Sequence, residues 1–277
     1  MSLVTMNEVF PIAEEKKIAI PAFNVDTLEI AQAVLETIEE ENAPSIIAVG
    51  QAAIKDGKLE ALASIVTLLA GKMQTPVVLH LDHGQNFDQV IKALRAGYSS
   101  VMIDGSTLLL ADNIAVTKQT LQAARAVGAS VEAELGAILG SEDNISHDDS
   151  KPFLVKVQDV VDFTSAVDVD ALAVGIGNAH GLYKGRPNLD FDRLREVAEV
   201  CPAPLVLHGG SGIPADMIKT AIEIGIRKIN VATEVRLSYV KGLNAESRSE
   251  DYYTMTNNGK RCVKELVREK IRLFSRR

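Results

Sequence analysis

Val77-Val78-Leu79-His80-Leu81-Asp82-His83-Gly84 begins as a short, β-branched, apolar run and ends in an acid, an imidazole and a glycine. The run has the composition of a strand buried on both faces, and its chemistry sits at the C-terminal end. The same phrase recurs outward in both directions, at Ile18–Val25, Ser45–Gly50, Ser100–Gly105, Ala129–Gly136, Ala171–Gly177, Leu205–Gly209 and Lys228–Glu234. These read as near-continuous hydrophobic runs rather than alternating ones, which is the pattern of parallel strands. Helical patterns separate them. Thr27–Glu41 sets Ile30, Val34 and Ile38 on one face and leaves Glu36, Glu39, Glu40 and Glu41 for solvent. Phe87–Ala96, Asp190–Val200 and Pro214–Ile224 repeat the pattern. Asp26 is the expected cap of the first of these helices, and Pro214 lies at the expected first turn of the last. A final helix over about Asn258–Phe274 is basic, which reads as a solvated outer face.

Eight strands alternating with helices in 277 residues is the arithmetic of an α/β fold of the (β/α)8 TIM-barrel type. A doubly wound sheet shares the alternation, but no G-x-G-x-x-G follows the first strand. No Pro/Gly/Ser-rich linker divides the chain, so residues 1–277 are expected to form one barrel domain with a C-terminal helix. The longest irregular stretch is Ala137–Pro152, and a loop of that length in a compact domain is expected to carry function.

Composition narrows the function. The chain holds 29 Lys+Arg against 37 Asp+Glu, a net charge of −8, which argues against nucleic acid as a partner. No run of 18 apolar residues is present, so no membrane-spanning helix is expected. The first ten residues lack the pattern of a secretory signal, and the two cysteines, Cys201 and Cys262, suit a reducing cytoplasm.

The chain has five histidines. His83, His180 and His208 fall at or just after strand C-termini, each beside a glycine. In a barrel all those ends open on one mouth, where the active site lies. Three imidazoles converging there can ligate one Zn2+ and leave a position for substrate. A lone histidine at a strand end is more often a hydrogen-bonded structural residue, and His80 and His147 fit that plainer reading. Asp82, Asp104 and Glu134 stand at the same level. Asp104 before Gly105-Ser106 also suits a turn cap, whereas Glu134 interrupts an apolar run and needs a metal, a cation or a hydrogen bond. Glu142 and Asp143 lie on the long loop. No lysine is expected in an apolar pocket at a strand end, since Lys228 is read as preceding its strand. Gly177, Gly181, Gly209, Gly210, Ser211 and Gly212, with Asn230 and Thr233, form a small-residue cluster after the late strands, where backbone amides of such barrels cradle phosphate.

With these motifs assembled, the sequence resembles the zinc-dependent class II ketose-bisphosphate aldolases, which are (β/α)8 barrels. The likeness covers nearly the whole chain. It rests on Ile20–Val25, Leu81–Gly84, Val131–Gly136, Val174–Gly181, Leu207–Gly212 and Lys228–Glu234. The resemblance implies reversible cleavage of fructose or tagatose 1,6-bisphosphate, or a related ketose 1-phosphate, to dihydroxyacetone phosphate and an aldehyde through a metal-stabilised enediolate. It implies His83, His180 and His208 as zinc ligands, with Asp104 and Glu134 forming an alternate metal position or one behind the ligands. Asp82 would exchange the C4 hydroxyl proton, and Glu142 would move the proton at the dihydroxyacetone-phosphate carbon. Gly181, Lys184, Gly209, Gly210, Ser211, Asn230 and Thr233 would hold the C1 phosphate. A monovalent cation (Na+ or K+) beside that phosphate and a homodimer or homotetramer follow from the same likeness. Two departures bear on substrate. Ala232 looks like the tagatose branch, while Asp82-His83-Gly84-Gln85 looks like the fructose branch. The segment Ser249–Thr254 lacks the arginine with which bisphosphate members grip the distal phosphate. Two other readings predict different behaviour: a zinc hydrolase would bind metal without cleaving carbon–carbon bonds, and a phosphosugar-binding protein would bind without turnover.

Overall fold

A computed structural model of the chain describes residues 3–142, 145–147, 154–183, 185–245 and 251–276, the segments 139–142 and 145–147 in backbone only. Glu142 is therefore described without its side chain, and Asp143, Lys184, Ser249 and Glu250 lie outside the described residues.

The strands are β1 (Ile20–Asn24), β2 (Ser45–Val49), β3 (Val77–Gly84), β4 (Ser100–Ile103), β5 (Ser130–Leu135), β6 (Leu139–Glu142), β7 (Ile145–His147), β8 (Ala171–Val174), β9 (Ala179–His180), β10 (Leu205–Leu207) and β11 (Ile226–Val231). The helices are α1 (Met6–Lys16), α2 (Leu28–Glu41), α3 (Gln51–Lys55), α4 (Leu59–Ala70), α5 (Phe87–Arg95), α6 (Leu110–Ala126), α7 (Val157–Ala166), α8 (Phe191–Val200), α9 (Ala215–Ile224), α10 (Thr233–Leu243) and α11 (Tyr252–Phe274). Eight parallel strands close in the order β1-β11-β10-β8-β5-β4-β3-β2, with helices between them, so the chain is a (β/α)8 barrel. The expected irregular stretch after β5 instead contains β6 and β7, an antiparallel pair, and β6 also pairs in parallel with β9.

Every residue of β1 to β5, β8, β10 and β11 is buried, yet the strands present two different faces. Leu79 and Leu81 of β3, Val131, Ala133 and Leu135 of β5, and Ile229 and Val231 of β11 pack in the large outer core. That core also takes Ile30, Val34 and Ile38 of α2. The alternate positions point into the barrel. At the lower end these are Ile20, Ala22, Ile46, Val78, Ala171, Ala173 and Val206, and α1 closes them off with Met6, Val9, Phe10 and Ala13. Backbone ties hold α1 there: the Met6 N–H donates to Ser130 Oγ at 3.1 Å, and the Val4 N–H donates to Val77 O at 3.0 Å.

Three local expectations are corrected. Thr27, not Asp26, caps α2, accepting from the Ile30 N–H at 3.3 Å, while Asp26 pairs with Arg236 at 2.7 Å. A hydroxyl suits that place, and replacing such a cap with Ala typically costs about 1 kcal/mol. The basic face of α11 is not simply solvated. Lys264 reaches Glu40 at 2.6 Å, Arg268 reaches Glu40 at 2.7 Å and Arg272 reaches Glu41 at 2.9 Å, so the acids left for solvent on α2 are its partners. Lys228 does not precede its strand: it lies inside β11, fully buried, in the barrel interior.

Candidate active site

Asp82 and His83 are consecutive, and in a regular strand their side chains would face opposite ways. The end of β3 breaks that rule. Leu81 pairs with Val101 but Gly84 pairs with Ile103, so β3 carries one more residue than β4 across this interval. His83 takes the left-handed conformation, with φ 51°. The bulge turns both side chains toward the mouth, a common use of such irregularities. The Gln51 amide holds it by donating to His83 O at 2.8 Å.

The three imidazoles meet. Ring centroids are 4.5 Å apart for His83 and His208, 4.9 Å for His83 and His180, and 6.2 Å for His180 and His208. One ligating atom from each lies within 4.8 Å of the other two. His83 and His208 rise from barrel strands, whereas His180 sits on β9 and is positioned by pairing with Gly140 of β6. This pairing also brings the backbone of Glu142 to the same neighbourhood. Asp104 and Glu134 form a second candidate group with His83.

The hydrogen bonds decide which nitrogens are available. His83 Nδ1 lies 2.8 Å from Asp104 Oδ2, and His208 Nε2 lies 2.8 Å from Glu132 Oε1. A carboxylate only accepts, so each of these nitrogens carries the hydrogen. The opposite nitrogens, His83 Nε2 and His208 Nδ1, face each other at 2.8 Å. At that distance one of the pair carries a proton and donates it to the other, and a bound metal ion would take that proton's place. Carboxylate-backed neutral imidazoles are the usual donors to a metal. Glu134 Oε2 is buried without a hydrogen-bond partner, 3.5 Å from His208 Nδ1. The donor set therefore fits a divalent metal.

Electrostatics agree. Four buried or nearly buried carboxylates, Asp82, Asp104, Glu132 and Glu134, line this region, and among the described residues Lys228, paired with Glu132, is the fixed cation that faces them. Burial, reinforced by Asp104, raises Glu134 well above the usual carboxylate range. Burial alone would depress His83, but Asp82 and Asp104 raise it well above the usual imidazole value, so the pocket draws positive charge. His208 is lowered to about 4 by burial and by His83. Asp82 is held below the usual range despite its burial, chiefly by His83 and His208.

Asp82 is also clamped. Asn24 Nδ2 donates to its Oδ2 at 2.9 Å, and Asn230 Nδ2 donates to its Oδ1 at 3.0 Å. Asn230 was expected beside a phosphate; its amide is turned to Asp82, with Oδ1 left without a partner. The Gly-rich cluster lies across the mouth. Gly209 has φ +64°, and a Cβ there would collide with Ala179 O. A Cβ on Gly210 would stand 2.6 Å from Asn230 O, the atom that accepts the Gly210 N–H at 2.9 Å. Ser211 Oγ accepts from the Glu234 N–H at 3.2 Å, and α10 opens at Thr233 with no side-chain cap. Tyr183 braces the loops, its hydroxyl donating to Gly209 O at 3.1 Å and accepting from the Ala179 N–H at 3.0 Å.

Glu132, Asn24, Gln51, Tyr183 and Lys228 are not among the residues that the sequence singles out as site residues, nor is Asn178, whose Nδ2 donates to His208 O at 3.0 Å. A signal for three of them was present. His80-x-Asp82, Glu132-x-Glu134 and Lys228-x-Asn230 place polar residues at alternate positions of apolar runs, and Asn24 likewise follows Ala22. Polar residues at period two inside buried strands mark one shared face.

Comparison with known proteins agrees with this site. Residues 4–277 match the family model "Fructose-bisphosphate aldolase class-II". The fructose-bisphosphate aldolase of Thermus caldophilus is 37% identical over 98% of both chains. The crystal structure of the YdjI aldolase from Escherichia coli K12 superposes with a TM-score of 0.87 at 31% identity, covering 98% of this chain and 97% of that one. Fructose-bisphosphate aldolase from Campylobacter jejuni, at 24% identity and a TM-score of 0.82 over 99% and 95% of the chains, shares the fold. A closed eight-stranded barrel with this mouth, matched from end to end by that family, makes the chain a member of the class II fructose-bisphosphate aldolases and an aldehyde-lyase acting on a carbon–carbon bond.

Proposed function

We propose that this aldolase is zinc-dependent and releases dihydroxyacetone phosphate from a ketose 1,6-bisphosphate or ketose 1-phosphate. The observation that carries the reading is the trio of His83, His180 and His208 with Asp82 beside it. These three histidines would hold the zinc, and Asp104 and Glu134 would offer an alternate position. Bound there, zinc would supply a Lewis acid next to the oxygens that gain negative charge as the C3–C4 bond breaks.

The remaining steps belong to the chain. Asp82 takes the proton from the C4 hydroxyl, which lets that carbon leave as an aldehyde. Asn24 and Asn230 occupy both Asp82 oxygens and so fix the carboxylate plane toward the mouth. Glu142 returns a proton to the three-carbon fragment. Gly181, Gly209, Gly210 and Ser211, with Thr233 at the start of α10 and Lys184, hold the C1 phosphate. Backbone amides and a helix N-terminus suit an anion, and grip on this remote group orients the reacting carbon. A Na+ or K+ ion beside the phosphate and a homodimer or homotetramer belong to the same proposal. The segment Ser249–Thr254 has no arginine to match the one with which bisphosphate members grip the distal phosphate, so ketose 1-phosphates with other tails stand beside fructose and tagatose 1,6-bisphosphate.

The test is release of dihydroxyacetone phosphate from fructose 1,6-bisphosphate, tagatose 1,6-bisphosphate and several ketose 1-phosphates, with and without EDTA. EDTA-sensitive release is expected, and the substrate ranking reports whether the distal phosphate is read. Release that survives EDTA would overturn the metal mechanism. Bound zinc with no release from any ketose would favour a hydrolase or a binding protein.

A further inference from the structure

Beneath the histidines lies a second layer of polar side chains that the steps above do not use. Glu132 and Glu134 are two residues apart on β5 and face the same way, with Glu134 at the level of the ligand nitrogens and Glu132 below it. Glu132 is fully buried, and its Oε1 takes the Nε2–H of His208 at 2.8 Å. Lys228, also fully buried, rises from β11 on the far wall. Its Nζ donates to Glu132 Oε1 at 2.9 Å and lies 2.8 Å from Oε2. His80 lines the third side, with Nδ1 2.9 Å from Ser100 Oγ and Nε2 3.7 Å from Glu132 Oε2.

We infer that Glu132, held in place by Lys228, is a positioning residue that selects which nitrogen His208 presents to the metal. The inference rests on the three-histidine metal site proposed above. An imidazole on a strand end has two nitrogens and can turn about its ring axis. Only one of its two orientations donates an N–H to Glu132 while aiming Nδ1 at His83 Nε2. The carboxylate thereby fixes both tautomer and ring plane. Lys228 does the same for Glu132, because its ammonium donates to Oε1 and stands 2.8 Å from Oε2, which holds the carboxylate from one side. The arrangement spans β5, β11 and β10, so the barrel itself sets the ligand.

The test uses the full-length protein and two readouts: zinc affinity by competition with a chromophoric chelator, and the visible spectrum of the cobalt-loaded protein. Glu132→Gln keeps the size and loses the charge, and is expected to weaken zinc binding about 10- to 100-fold and to shift the cobalt bands. Lys228→Met is expected to move both readouts the same way. Because the two residues act through one contact, the double variant should bind zinc no more weakly than the worse single variant. Glu132→Asp, which restores the carboxylate, should recover part of the affinity. An unchanged affinity and spectrum in Glu132→Gln, or strictly additive losses in the double variant, would overturn the inference. Should Lys228→Met not fold, the contrast between Glu132→Gln and Glu132→Asp decides alone. His208→Ala separates the two readings. Zinc retained in that variant sinks the three-histidine site itself, whereas zinc lost there and kept in Glu132→Gln sinks only the positioning role.

Discussion

Two charged networks cross this molecule, one inside the barrel and one between α2 and α11. The chemistry of their pairs is the same, carboxylate against ammonium or guanidinium. Inside, Lys228 meets Glu132 at 2.8 Å with both side chains at 0% exposure. Outside, Lys264 meets Glu40 at 2.6 Å with the side chains 25% and 46% exposed. Distance therefore does not separate them; solvent does. The outer pairs sit in water that already satisfies each ion, so closing the pair gains little. The inner pair has given up hydration, and each partner depends on the other. The inner network holds the His208 ring in one orientation, while the outer one fastens one helix to another.

The contrast can be broken at several levels. His208→Ala is expected to abolish zinc binding and turnover together, as read by metal content and dihydroxyacetone phosphate release; a variant that keeps both would remove the core of the inner network. Asp82→Ala should keep its zinc and lose activity by about 10²- to 10⁴-fold, the range of a missing acid–base group. Full activity in that variant would strip Asp82 of its assigned role. Lys228→Met should lower unfolding free energy by about 3–5 kcal/mol in urea titrations, since it leaves Glu132 as an uncompensated buried charge. Lys264→Met serves as the outer counterpart, and equal losses in the two would erase the distinction drawn here.

The smallest effect belongs to Glu40. Its hydrogen bond to Lys264, with Arg268 adding to it, holds its carboxyl below the ordinary glutamate value in the folded protein. A depressed folded pKa means that the stabilisation is fully present above pH 4.5 and is lost as pH falls through the folded value. A Glu40/Lys264 double-mutant cycle should give about 0.2–1 kcal/mol at neutral pH and low salt. That coupling should fade in high salt and in acid. A coupling that persists in both would mean the outer pair behaves like the inner one.

Much of this was legible from the chain alone. The eight runs are strands and the barrel closes; His83 and His208 converge because barrel topology sends strand C-termini to one face, and His180 joins them through β9, which pairs with β6 outside the barrel. What escaped is instructive. Reading the strands as uniformly hydrophobic hid the alternation that puts His80, Glu132 and Lys228 on the inner wall, because both faces are buried and only the partners differ. The pairing of α11 with α2 joins residues more than two hundred positions apart, and no local pattern reports it. Asp26 lost its expected cap role because Arg236, brought near only by barrel closure, binds it and leaves Thr27 for the helix. The bulge at His83 is a tertiary matter as well, since it exists only relative to β4.

The helix α1 deserves a last consequence. By filling the lower end with Met6, Val9, Phe10 and Ala13, it turns the barrel into a vessel with one door. Among the described residues the lower end is filled, so whatever reaches Asp82, His83 and His208 would arrive and leave by the opposite end, and binding and release would share one face.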